Sequence, residues 1–207
     1  MEPTKHQYDY DVATVHGFLL KYGLANEVKV NVAANHATLA AHSFEHEISI
    51  AASLGILGSI DIKRGDPQDG WDTNQFPANA QDQSLALLEV VRAGGLGSGS
   101  FKFDANVRWQ SIDPEDLCHA HICGLAVLAA ALLIAESIIV DGRLQRFRDE
   151  RYADWKSAFG KSILDGKQSL VDLSQFVVSR DVNPVPRSGR GQIYENLVQR
   201  LVQVAGR

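Results

Sequence analysis

Residues Leu57 to Ile62 read LGSIDI, a short run with β-branched character that carries an acid, Asp61, next to its end. Such a run reads as a strand that brings its acid towards the rim of a sheet. The same composition recurs at Val28 to Val32 (VKVNV, continuing into AANH) and at Ser100 to Val107 (SFKFDANV). Helical spacing of apolar residues fills the intervals. Asp11 to Tyr22 stops at Gly23, Ser43 to Leu54 at Gly55, and Ser84 to Ala93 at Gly94 and Gly95, where glycine supplies a left-handed C-terminal residue. A longer helix is expected from Pro114 to Val140. Alternating helices and strands imply a parallel sheet with right-handed crossovers, because tight hairpins cannot join parallel strands.

From Asp141 the strands stop. LQRFRDERYADW, SLVDLSQFVVS and QIYENLVQRLVQV all carry helical spacing, with the irregular NPVPRSGRG (Asn183 to Gly191) before the last. The expected division is therefore an α/β region, residues 1–142, and a helical arm, residues 143–207, that packs outside the sheet or on another subunit.

Composition narrows the function classes. The chain has 207 residues, 45% hydrophobic and 22% charged, with a formal net charge of -5, and no basic run dense enough to attract nucleic acid. The two cysteines, Cys118 and Cys123, and the lack of a charged-then-apolar leader suggest a reducing cytoplasm. The apolar run Gly124 to Ala135 falls short of the roughly 20 residues a bilayer requires, and Glu136 follows it, so a buried helix and no membrane association are expected.

In parallel α/β folds, chemistry gathers at the carboxyl ends of strands. The first run delivers His36, the second Asp61 and the third Asp104, while Asp72 follows in the loop GWDTNQF. Any one acid at a strand end can simply cap a turn. One imidazole and several carboxylates on one rim suit a hard divalent cation, Mg²⁺ or Mn²⁺.

These residues carry a resemblance. EPTKHQYDYD (Glu2 to Asp11), ANHATLA (Ala34 to Ala40), HSFEHE (His42 to Glu47), GSIDIKRGDPQDGWDTNQFP (Gly58 to Pro77) and FDANVRWQS (Phe103 to Ser111) are similar to D-xylose isomerases of the larger-subunit bacterial class. The resemblance implies the carboxyl-terminal part of a TIM (β/α)₈ barrel, three parallel strands with their helices, followed by a helical arm for subunit contacts. It implies an aldose–ketose isomerisation of D-xylose to D-xylulose on two divalent metals. Its metal positions here are 33, His36, Asp61, Asp72, Asn74 and Asp104. Ala33 stands where the family has a glutamate, Asn74 where it has an aspartate, and Asn106 where it has a lysine. The resemblance also puts a bridging glutamate, a sugar-contacting lysine and the ring-opening residues on strands before Met1. The expectation is a weak Mg²⁺ or Mn²⁺ site and a chain inactive alone, partnered by a second copy or by a complementary amino-terminal half, with a pentose as the whole enzyme's substrate. The alternative is a non-catalytic structural or assembly role.

Other motifs have plainer readings. In HSFEHE, His42, Glu45 and His46 fit the HxxEH zinc pattern, but no third ligand is evident, so the stretch reads as a helix start with Ser43 as N-cap. CHAHIC (Cys118 to Cys123) spreads its ligands around a helix. Trp71, Trp109 and Trp155 read as packing residues, and GGLGSGS (Gly94 to Ser100), which enters a strand, as a turn.

Overall fold

The computed structural model of the protein describes residues 9–66 and 71–205, excluding the side chains of Asp66, Trp71, Asp72 and Ala205. The chain divides into two compact units, with the break between Ser137 and Ile138.

The first unit is built on a parallel sheet of β1 (Val30–Ala33), β2 (Leu57–Ile62) and β5 (Phe101–Phe103), in that order. Register sets the face of every side chain. Val32 pairs with Ile60 and Ala33 with Asp61; Ile60 pairs with Phe101, Asp61 with Lys102, and Ile62 with Phe103. Since successive residues alternate faces, one side of the sheet is apolar (Val32, Ile60, Ile62, Phe103) and the other carries Asn31, Ala33, Ser59, Asp61 and Lys102.

The apolar face holds the core. Ile60 and Ile62 are fully buried with Ile48 and Ala51 of α3 (Phe44–Ser53) and Ala86, Leu87 and Val90 of α4 (Ala80–Arg92). Val12 and Leu19 of α1 (Val12–Lys21) and Leu128 and Ala131 of α5 (Pro114–Asp141) join the same cluster. Burying each isoleucine contributes about 1.5–3 kcal/mol relative to exposure. Side-chain caps start the helices: Asp11 accepts from Thr14 N at 2.7 Å, Ser43 from His46 N at 3.4 Å, and Asn79 from Gln81 N at 2.9 Å. The Asn79 cap starts α4 four residues before the expected Ser84, because polar Gln81 and Asp82 occupy a first turn that apolar periodicity does not mark. At the start of the sheet Gly99 passes so close to Gly58 that a Cβ would stand 1.7 Å from its carbonyl oxygen.

Four expectations change. GWDTNQF is not a loop but part of an antiparallel hairpin, β3 (Arg64–Asp66) with β4 (Trp71–Gln75). The third parallel strand shrinks to three residues, because after Phe103 the chain turns to β4, where Asn106 N donates to Asn74 O at 2.6 Å. Helix α5 runs 28 residues, so by length and composition it could cross a membrane; a core helix passes the same test, and its Leu128 and Ala131 are buried while Leu125, Leu132 and Leu133 are exposed. Trp109, expected to pack, is 95% exposed.

The second unit is helical. It contains α6 (Arg143–Arg151), a 3₁₀ turn at Ala153–Lys156, α7 (Ala158–Leu164), α8 (Leu170–Ser179) and α9 (Gly191–Ala205). Ser169 and Asp172 close a reciprocal capping box at the start of α8, and Phe159 stacks on Phe176 at 4.3 Å.

Candidate functional site

The polar face of the sheet gathers part of the expected rim. Ala33 ends β1 directly opposite Asp61. His36 is not at the strand end but inside α2 (Ala34–Leu39), the short helix that begins where β1 stops. Ala33, His36 and Asp61 line one cavity with Asn31, Tyr10 and Glu47. Asn74 and Asp104 are not among its described lining residues. Asp72 lies in β4, and its side chain is outside the described residues.

Each donor has its own surroundings. Asp61 is 7% exposed; its Oδ2 accepts from Asn31 Nδ2 at 2.8 Å, and its Oδ1 has Lys102 Nζ at 3.4 Å without hydrogen-bond geometry. Asp104 Oδ2 accepts from Lys63 Nζ at 2.7 Å, and that lysine is 2% exposed. Asn74 sits at a left-handed φ of 47°, a conformation asparagine tolerates better than most residues. Its Oδ1, like Asp61 Oδ1, is buried without a hydrogen-bond partner.

Among the described side chains, this donor set does not fit the two divalent ions that the resemblance implies. The two orphaned oxygens are what a cation would satisfy, but one belongs to a neutral amide and the other already faces an ammonium. Ala33 offers no donor at all, and Asp104 is held by a buried lysine. Clustered carboxylate charge is what offsets the dehydration of Mg²⁺, and here much of it is absent or already paired. Sequence reasoning missed Lys63 and Lys102. Their signal was the period-2 spacing in DIK (Asp61 to Lys63) and KFD (Lys102 to Asp104).

A second cluster lies where α1 and α3 begin. His42, His46 and Glu47 present ligand atoms within 4.8 Å of one another, a spacing that could hold an ion. The acid is Glu47, whereas the HxxEH pattern named Glu45. Glu47 is 5% exposed, and its Oε2 accepts from Val12 N at 2.8 Å, closing the start of α1. His42 Nε2 lies 3.2 Å from Asp11 Oδ2, and the two imidazoles stack at 5.0 Å. Burial opposes ionisation of Asp11, but hydrogen bonds from Thr14 and His42 and the charge of His42 together hold its carboxyl below the usual value. In CHAHIC, His121 packs edge-on against Phe76 at 4.7 Å while Cys118 and Cys123 are free and exposed.

A family model described as the XylA2 C-terminal domain matches residues 148–202. Curated relatives named xylose isomerase match nearly the whole chain: 53% identity over 97% of it in Pseudomonas syringae pv. syringae, 56% over 95% in Histophilus somni, and 54% over 97% in Novosphingobium aromaticivorans. The chain spans only 45–46% of the length of these three relatives. Over that span, their carboxyl-terminal half, the chain belongs to the xylose isomerase family.

Proposed function

We propose that this chain is a sugar-isomerase segment that does not catalyse by itself. It supplies three strands and part of the rim of a (β/α)₈ barrel whose complete form interconverts D-xylose and D-xylulose. The reading rests chiefly on one observation: across β1 and β2, where a shared carboxylate would face Asp61, stands Ala33. In the complete enzyme two divalent ions would supply the Lewis acids for a hydride shift between adjacent sugar carbons. His36, Asp61, Asn74 and Asp104, with Asp72, are left to hold a divalent ion only weakly, and none of them is assigned a chemical step.

Further parts of the reading concern its setting. A pentose is the substrate of the completed barrel, and completion comes from a second copy of this chain or from a complementary amino-terminal half. The arm, residues 143–207, serves subunit contacts, and exposed apolar side chains such as Leu170 and Val178 support that role. Two free cysteines support a cytoplasmic setting.

The test is a coupled xylulose assay on the chain alone and on the chain mixed with a separately expressed amino-terminal half of a related isomerase, with Mn²⁺ present. No turnover is expected from the chain alone. Xylulose formation by it would overturn the proposal, and turnover only in the mixture would favour completion in trans over a purely structural role.

A further inference from the structure

The pairing of β2 with β5 places two acids and two bases in a square. Asp61 lies directly across from Lys102, and one step beyond the Ile62–Phe103 pair come Lys63 and Asp104. Asp61 and Lys102 share the polar side of the sheet, while Lys63 and Asp104 follow the last residues of the two strands, Ile62 and Phe103. Opposite charges directly across two strands attract, as Asp61 and Lys102 do here, and a second pair of reversed polarity forms just past the strand ends. The contacts follow: Lys63 Nζ to Asp104 Oδ2 at 2.7 Å, and Lys102 Nζ to Asp61 Oδ1 at 3.4 Å.

The two pairs differ in kind. One partner of each pair, Lys102 and Asp104, is more than half exposed, so water screens both attractions in part; what sets the pairs apart is that only Lys63 makes a hydrogen bond to its partner and that there the buried partner is the lysine. Lys63 is buried to 2% exposure, and a buried ammonium is retained only where acceptors hold it. A lysine in this place is thus a fixed positive charge built into the rim.

We propose that Lys63, assisted by Lys102, is the resident cation of this rim, neutralising Asp104 and Asp61 in place of divalent metal and keeping metal out. The proposal rests on reading this face as the isomerase rim. An ammonium within hydrogen-bond reach of a carboxylate occupies the lone pairs that an ion would use, and its charge repels a second cation a few ångströms away. The rim therefore holds its shape without metal.

The experiment uses the full chain after chelator treatment, with Mn²⁺ binding followed by the loss of the free-ion electron paramagnetic resonance signal. The wild type is expected to bind no tighter than the millimolar range, with a Tm unmoved by EDTA. Lys63→Met should bind at least about tenfold tighter, because a repelling charge is gone and Asp104 is released. Lys102→Met, which frees no hydrogen-bonded carboxylate, should gain less. Stability adds a readout that needs no metal: Asp104→Asn should lower the Tm, and adding Lys63→Met should recover part of the loss, a non-additivity that marks a direct pair. Should Lys63→Met fail to fold, folding of Lys63→Met with Asp104→Asn supports the pairing, and failure of both counts against it. Micromolar Mn²⁺ binding by the wild type, or no gain in either folded lysine variant, overturns the proposal. Because no activity is read, this failure is distinct from that of the functional reading, which xylulose formation alone reveals.

Discussion

Glu47 offers the sharpest test of whether the HSFEHE stretch is a metal centre or a helix junction. Its carboxylate is nearly inaccessible and accepts the backbone N–H of Val12, itself 5% exposed, across 35 residues of sequence. That bond ties the first turn of α1 to the first turn of α3, where helix-terminal N–H groups lack intrahelical partners. Glu47→Ala removes a charge-assisted hydrogen bond, about 1.5–3 kcal/mol, and leaves a buried donor unsatisfied in a small cavity. A total loss near 3–4 kcal/mol is expected. Glu47→Gln keeps an oxygen in reach of Val12 N and should cost about 1–2 kcal/mol. His42→Ala with His46→Ala removes more exposed side chains and should cost about 1 kcal/mol or less. Urea denaturation with and without EDTA measures all three, alongside a Zn²⁺ and Co²⁺ titration. A junction gives the order Ala, Gln, double histidine variant at any metal concentration. A wild-type stability that rises with Zn²⁺ and loses that rise in the histidine variant would refute the reasoning, as would a Glu47→Ala cost below about 1 kcal/mol.

Asp11 has a depressed carboxyl, so its contribution is present above its unfolded value near 3.9 and is lost as pH falls through the lower folded value. The stability gap between wild type and Asp11→Ala should therefore be about 1 kcal/mol at pH 7, from the lost cap, and should shrink by pH 3 in denaturant titrations. Gly99→Ala sets a Cβ against the Gly58 carbonyl and should cost about 3 kcal/mol or more by thermal melting, while Gly189→Ala, with open space around it, should be nearly neutral. The outer edges of β1 and β5 carry no strand partner among the described residues, and α5 exposes Leu125 and Leu133, so self-association at micromolar concentration is expected. Sedimentation velocity giving a clean monomer would contradict that.

Much of the fold was legible because its signals are local and redundant. Leu57–Ile62 was read to the residue, and α1 and α3 to within one residue at each end, since a side-chain cap and a terminal glycine bracket both helices. The hairpin was not legible. Its strands are three and five residues long, carry little apolar alternation, and are joined by the sequence PQDG, which reads as loop. His36 was misplaced by its setting, because Ala34 to Leu39 is only six residues and shows too little periodicity to separate a helix from a strand tail.

The candidate rim was half legible, and the missing half concerns charge. Acids at strand ends announce themselves one by one, so Asp61 and Asp104 could be named from sequence. Their neutralisation depends on which residue of β5 faces which residue of β2, and one step of register would set Asp61 against a phenylalanine. In the family that the chain resembles, five carboxylates at positions 33, 61, 72, 74 and 104 face two divalent ions. Here three carboxylates remain at those positions, and two lysines stand across from two of them. Under the proposed reading, the bases at 63 and 102 offset part of the charge left on the acids that remain once positions 33 and 74 carry none. Restoring Ala33→Glu and Asn74→Asp while both lysines remain should then bind Mn²⁺ less tightly than the same pair combined with Lys63→Met, and equal affinities in that comparison would mean that register, not charge, sets what the rim can hold.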